Sequence, residues 1–382
     1  MMKKSFADIL SDIDEGMGRK ARKKLPGWDG AEIPTSLSLE QCSSEAAADY
    51  KVRLLTKYFP GGPDTVCDLT CGLGVDSLAF SRISRQVTSF ERSPLLADAA
   101  RRNFSRFGAD NIEVRCEEVT SETEIPACNV IYADPARRDG LGRKVFRLED
   151  CSPDIRPMLP SMLGKARLVL LKLSPMADIS LLAEEFGGNL KEVHIVSLHS
   201  EVKELLCLLT PEHSEEYEIN VVELDAPKER FTCLPSEEKS AEAEYSGIPG
   251  KGQYIHEPCP GLLKSGAFRL IGRRFGLKQA DRATRLYLSE SPIISPLLRT
   301  FAIDEVFPLG NDGLRETRRI CPKAGVSARN IPMSSEELRR RLKTGESSEH
   351  HIFGCSIAGK RLIVVCRRVS APEQVTGPEN MV

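Results

Sequence analysis

No apolar run in this 382-residue chain approaches the roughly 20 residues that a membrane span needs, which argues against a membrane protein. Twelve cysteines are present, yet none falls in a C-x-x-C pair. Cys67, Cys116, Cys207 and Cys366 lie in apolar, strand-like runs, where a thiol serves as a small buried hydrophobe. The scattered spacing fits a reducing cytoplasm better than a disulfide framework or a zinc ribbon. The first residues, Met1-Met2-Lys3-Lys4-Ser5-Phe6-Ala7-Asp8, turn acidic too soon for a signal peptide. His350-His351 has only Cys355 close by, too few ligands for a local metal site. The expectation is a cytoplasmic protein without a bound metal.

What is present is the composition of a soluble globular chain, 41% hydrophobic and 28% charged, long enough for two or three domains. One stretch organises it, Thr65 to Asp76, reading T-V-C-D-L-T-C-G-L-G-V-D. Thr65 to Leu69 is a β-branched and apolar run that stops in a glycine-rich turn, as a buried parallel strand does. Asp76 is expected to cap a helix over Ser77 to Ser84. Strand, glycine turn and helix in that order form the nucleotide-binding corner of doubly wound folds.

Upstream, residues 1–60 read as a helical segment with a basic run from Arg19 to Lys24, and Leu39 to Tyr58 reads as one helix ending at Phe59-Pro60-Gly61-Gly62. Downstream, Gln86 to Phe90 is a second strand ending in Glu91, an acidic tip suited to accept hydrogen bonds from ribose hydroxyls. Pro94 opens the next helix, where a missing N–H costs nothing. Further strands are expected at Asn111–Cys116, Asn129–Ala133 and Ala166–Leu173. Glu192–Leu198 and Val202–Leu209 are joined by three residues, too few for a crossover helix, so they pair antiparallel. Five parallel strands followed by an antiparallel pair are unlike a dehydrogenase, and the third glycine of the dinucleotide motif is Ser77.

At these residues the chain resembles the class I methyltransferases that use S-adenosylmethionine, a Rossmann-like α/β fold. Asp68-Leu69-Thr70-Cys71-Gly72-Leu73-Gly74 is similar to their D-x-x-x-G-x-G turn, and Glu91 matches their ribose-holding acid. The resemblance implies cofactor contacts from Asp68, Thr70, Cys71, Gly72, Gly74, Asp76 and Glu91. It places Glu117, or its neighbour Glu118, near the adenine amino group. Asp134-Pro135-Ala136-Arg137 stands where base-modifying members carry D-P-P-Y. More narrowly, the chain resembles bacterial methyltransferase-like proteins with a THUMP-like C-terminal region. That likeness is carried by Gln41 to Lys51, Tyr132 to Gly140, Tyr254 to Pro258, Leu263 to Phe268 and Ser327 to Pro332. The implied layout is an N-terminal helical segment (1–60), a methyltransferase domain (61–235), a linker (236–250) and a smaller α+β THUMP-like region (251–382).

In D-P-P-Y enzymes the Asp and a backbone carbonyl accept hydrogen bonds from the target amine. Asp134, Pro135, Ala136 and Arg137 are therefore the expected catalytic residues, with Arg137 in place of the aromatic. Gln41, Ser44, Lys51 and Arg138 are candidates on the substrate side. Carbon-5 pyrimidine chemistry needs a cysteine nucleophile. The chain has Arg137 and Leu173-Ser174-Pro175 at the two positions where such enzymes place it, so nitrogen methylation is preferred. Charge points to the partner. Glu201 to Ser246 holds thirteen acidic against four basic residues, whereas Lys264 to Lys343 holds seventeen basic against eight acidic. Basic residues cluster at Arg273-Arg274, at Arg315, Arg318 and Arg319, and at Arg339 to Arg341, in a pattern that attracts phosphates. RNA is the expected partner, as the THUMP resemblance also implies. The alternatives are a non-catalytic RNA-binding protein on the same fold and a methyltransferase acting on a small molecule or protein.

Overall fold

The computed structural model describes residues 16–137, 148–226 and 229–369. The chain divides into two compact units, Met1–Val196 with Lys203–Glu218, and Ser197–Val202 with Ile219–Val382.

In the first unit a helical stretch over residues 16–24 precedes α1 (Ser36–Gln41) and α2 (Glu45–Tyr58). One continuous helix is expected there, but the chain breaks at Cys42-Ser43-Ser44. Ser44 takes extended backbone angles, and its hydroxyl accepts the Ala47 N–H at 3.2 Å, capping α2. A serine whose side chain satisfies an orphan amide starts a new helix more readily than it continues an old one.

The sheet then builds from β1 (Thr65–Asp68), α3 (Val75–Ser81), β2 (Gln86–Phe90), α4 (Pro94–Arg106), β3 (Ile112–Arg115), β4 (Cys128–Ala133), α5 (Ile155–Lys165), β5 (Ala166–Leu173), α6 (Ile179–Phe186), β6 (Leu190–Leu198) and β7 (Glu201–Leu209). Within the first unit their order is β6-β7-β5-β4-β1-β2-β3. β1 pairs in parallel with β2 and β4, β4 with β5, and β2 with β3, while β7 lies antiparallel to β5. Leu168 to Leu171 are at most 1% exposed, as the unbroken apolar run of β5 requires of a strand covered on both faces. Pro94 occupies the first turn of α4, whose Ala100 and Phe104 pack on the apolar cluster holding Leu73, Val75 and Leu78.

The second unit begins with a hairpin, β8 (Glu218–Glu223) and β9 (Arg230–Cys233), paired Ile219 to Cys233. The stretch expected to be a polar linker carries α7 (Pro235–Ser240). Proline opens it, and Glu237 and Glu238 bind Arg274 and Arg269 of α9, so its charges dock it. A seven-stranded sheet follows, from β10 (Tyr254–Pro258), β11 (Lys278–Gln279), β12 (Tyr287–Ser289), β13 (Leu298–Pro308), β14 (Gly325–Arg329), β15 (His350–Ile357) and β16 (Lys360–Val369). Its order is β11-β12-β10-β13-β16-β15-β14. The helices are α8 (Pro260–Ser265), α9 (Phe268–Phe275), α10 (Asn311–Ile320) and α11 (Ser335–Leu342), the last capped by Ser334 as its sequence predicts. Phe301, Phe353, Ile303, Val364 and Cys366 form one core of this unit; Leu338, Leu342, Ile352 and Ile363 form another.

Candidate active site

β1 ends in Asp68, whose carboxylate accepts the Thr70 N–H at 2.9 Å and the Ser77 hydroxyl. Both bonds fold the turn back on the strand. Gly72 and Gly74 have φ of +56° and +90°, in the left-handed region that glycine enters without penalty. A Cβ on Gly74 would stand 2.5 Å from the Phe104 ring of α4, so no larger residue fits. A Cβ on Gly72 would meet nothing closer than 4.0 Å, and the turn is open there. Gly74 takes the N-cap position of α3, with no side-chain cap, and Asp76 lies in the first helical turn rather than capping. Acid in that turn suits the helix dipole.

From the tip of β2, Glu91 reaches across the turn. Its two carboxylate oxygens accept the N–H groups of Gly72 and Ser93, each at 2.8 Å. Each oxygen keeps lone-pair capacity for a further donor. Above lies a cleft of about 680 Å³. That volume falls within the roughly 300–1,000 Å³ usual for small-molecule sites.

Of the residues expected in the site, Gln41, Thr70, Cys71, Gly72, Asp76, Glu91, Glu117, Asp134 and Ala136 border this cleft. Glu118 borders it too, but pairs with Arg92. Asp68, Gly74 and Pro135 do not border it; Asp68 is fully buried and supports the turn from beneath. Ser44 is spent as the α2 cap. Lys51 is completely buried and does not border the cleft. Arg137 pairs through its backbone with Cys151, and its side chain lies outside the description, as does the whole of Arg138.

Lys51 instead ties the floor together. Its ammonium donates to Ser43 at 2.9 Å, to Asp76 at 3.0 Å and to Glu204 of β7 at 3.2 Å. The Ser43 and Tyr132 hydroxyls donate to the other Asp76 oxygen, at 2.6 and 2.8 Å. The helix break at Cys42–Ser44 thus delivers Ser43 to the cofactor turn. Burial alone would raise the Asp76 carboxyl; Lys51 and Lys172 outweigh it, with the two hydroxyls, and hold it below the usual range. Lys172, near the end of β5, donates to Asp134. Burial opposes its charge, but Asp134, Glu204 and Asp76 prevail and raise its pKa. A lysine held cationic this way is no general base. The Asp134 N–H donates to the Thr70 hydroxyl at 2.7 Å, joining the acceptor motif to the glycine turn.

Sequence reasoning missed Ser43, Tyr132, Lys172 and Glu204. Ser43 and Tyr132 were within reach, since they lie in the quoted Gln41 to Lys51 and Tyr132 to Gly140 runs; Lys172 and Glu204 sit on β5 and β7 with no local motif.

A methyltransferase structure from Porphyromonas gingivalis W83 is 32% identical, superposes with a TM-score of 0.80, and covers 93% of this chain and 89% of its own. The chain belongs to the class I S-adenosylmethionine-dependent methyltransferases. Residues 298–368 of this methyltransferase match the THUMP domain-like family, and residues 254–295 match a ferredoxin-like domain family. An uncharacterized S-adenosylmethionine-dependent methyltransferase of Mycobacterium tuberculosis is 27% identical over 315 residues, 81% of this chain and 80% of its own. A 23S rRNA uracil C5-methyltransferase of Burkholderia pseudomallei is 28% identical over 155 residues, but these are only 38% of this chain and 32% of that one. The residues present fit the family's cofactor. The open face of Gly72 admits a close ligand, Glu91 offers acceptor capacity to hydroxyls, and the floor holds Asp76, Asp134 and Glu204 against Lys51 and Lys172, an acidic excess that suits a cation. Among the described residues no cluster of His, Cys, Asp or Glu is placed to hold a metal, and no helix is long and apolar enough to cross a membrane.

Proposed function

We propose that this methyltransferase modifies RNA at a base nitrogen. The observation that carries the reading is the Asp134 carboxylate. It stands at the end of β4 on the border of the cofactor cleft, where Lys172 is its ion partner. S-adenosylmethionine supplies an electrophilic methyl group when bound. Gly72 and Glu91 would hold the cofactor, with Glu117 near its base. Asp134 accepts a hydrogen bond from the target amine and aims its lone pair, and a carbonyl of Pro135–Ala136 accepts the second. Positioning of this kind supplies much of the acceleration in a direct displacement. Lys172 stays cationic, so the proton released by the methylated nitrogen leaves to solvent rather than to this side chain.

The name of the Burkholderia relative raises carbon-5 methylation as a rival, and its rRNA substrate favours an RNA target. Carbon-5 chemistry needs a reactive thiolate. The cleft is bordered by Cys42 and Cys71, and burial raises both thiols. After β5 it is bordered by Ser174 and Pro175. The test is methyl transfer from labelled cofactor to unmodified cellular RNA, with mass spectrometry of the nucleosides. A nitrogen-methylated base is expected, and a 5-methylpyrimidine would overturn the assignment. Asp134→Ala is expected to lower kcat by about 10²–10³ while S-adenosylhomocysteine still binds. Intact turnover in that variant would remove Asp134 from the mechanism. Labelling that survives ribonuclease treatment would turn the reading toward a protein or small-molecule substrate.

A further inference from the structure

Three runs singled out in the sequence play no part in the cleft: Tyr254 to Pro258, Leu263 to Phe268, and Ser327 to Pro332. A chain of contacts in the second unit joins them. Glu257 of β10 has a side chain only 3% exposed, and two arginines bind it. Arg299 of β13 donates to one oxygen and Arg329, at the end of β14, to the other. Next to Arg329, Asn330 donates to Thr284, and the adjacent Arg285 lies 3.6 Å from the centre of the Phe268 ring.

One buried carboxylate cannot neutralise two guanidiniums. The cluster keeps one positive charge, and the arginine side chains remain 45% and 35% exposed. His351 registers the field: burial first, with Arg299, Arg329 and Arg339 adding to it against Glu257, brings its pKa down to about 4. The basic runs that stand out in the sequence behave differently. Arg274, Arg315, Arg319, Arg339 and Arg341 each pair with a carboxylate, and Arg318 donates to the carbonyls of Arg341 and Leu342. The paired members spend their charge locally, whereas Arg273 and Arg340, exposed in the same runs, stand outside these pairs. Burying a carboxylate between two arginines is costly, and apolar packing is often the more stable solution. What the arrangement does provide is two planar forks held in fixed orientation, the geometry suited to phosphate oxygens.

We propose that Arg299 and Arg329, oriented by Glu257, form a phosphodiester clamp that holds an RNA strand on the THUMP-like unit. The proposal rests on the RNA reading above and names where that partner is gripped.

The test is fluorescence anisotropy of the full-length protein with fluorescein-labelled oligo(U), across a salt series. The double variant Arg299→Gln, Arg329→Gln is expected to bind about tenfold more weakly, and its log–log salt slope should be shallower by about 1.4, two phosphate contacts on a single strand. Arg315→Gln with Arg319→Gln, whose charges are already paired, is expected to change affinity less than about twofold. Folding of the second unit is checked by the circular dichroism spectrum and thermal unfolding of each full-length variant. If the glutamine pair unfolds, Arg299→Lys with Arg329→Lys decides. It keeps the ion pairs but lacks the forks, and should weaken binding about threefold; unchanged affinity overturns the clamp. Wild-type protein that binds RNA while the glutamine pair binds equally well also overturns the clamp and leaves the RNA reading standing. Wild-type protein that binds no RNA overturns both. Displacement of the RNA by inorganic pyrophosphate or polyglutamate at matched ionic strength would reveal a general anion patch and overturn the strand assignment.

Discussion

Each unit of this methyltransferase holds a charge shared unequally, and the two clusters are opposites. In the first, the cation Lys51 lies between the carboxylates of Asp76 and Glu204, wholly buried. In the second, the buried anion Glu257 lies between the cations Arg299 and Arg329, whose side chains are partly open to water. The first leaves a surplus of negative charge beneath a site for a sulfonium cofactor. The second leaves a surplus of positive charge on a surface suited to phosphates. A buried ion pair stabilises a fold poorly; what an uneven trio supplies is a fixed field of one sign at one place.

The comparison is best broken at the buried cluster. Lys51→Met removes the shared cation, leaves Lys172 as the remaining cation acting on Asp76 and Glu204, and is expected to cost about 3–5 kcal/mol in denaturant unfolding. A cost near zero would mean that water already reaches the floor. Glu257→Ala removes the shared anion, but solvent screens the half-exposed arginines, so a smaller loss of about 1–2 kcal/mol is expected from the same measurement.

Titration separates the units by sign. Burial pushes the Asp68 carboxyl, in the first unit, up to about 7. Between the ordinary carboxylate range and that value the folded state holds the extra proton, so this contribution weakens as pH rises through the window. Burial brings His256 and His351, in the second unit, down to about 4. Between the ordinary histidine value near 6.5 and that value, the unfolded chain holds the extra protons, so stability is lost as pH falls. Amide exchange of β1 and of β15, compared at about pH 5 and pH 7, should change in opposite directions, and Asp68→Asn should flatten only the first. The smallest effect belongs to the exposed pairs. Arg315→Gln is expected to shift stability by less than about 0.5 kcal/mol, and a larger shift would show that such surface pairs contribute more than their exposure suggests.

The parts of this molecule that could be read from residues alone are those whose chemistry is local. A glycine turn carries its meaning within seven residues, so the turn at Gly72 and Gly74 and the Glu91 tip were legible as local geometry, as were the parallel strands and the antiparallel pair that follows them in sequence. The helix break was not, because a serine reads equally well as a solvated helical position or as a cap. The floor of the cleft was invisible for a different reason: Lys51 and Glu204 are separated by 153 residues. The trio of Glu257, Arg299 and Arg329 joins positions 42 and 72 residues apart, whereas several arginines of the consecutive runs, conspicuous in the sequence, are paired locally. Clustering along the chain measures where charge is written; only the fold determines where it remains unbalanced.

The contact between Gly74 and Phe104 has an inheritance of its own. The ring from α4 fills the volume that any side chain at Gly74 would need, while the +90° backbone angle independently favours glycine. The turn is therefore guarded twice, once by its own torsion and once by a neighbour some thirty residues downstream. A lineage that trimmed Phe104 would lift only the second guard. Substitution at Phe104 thus leaves the torsional requirement for glycine in place, and the turn keeps its constraint when the helix behind it changes.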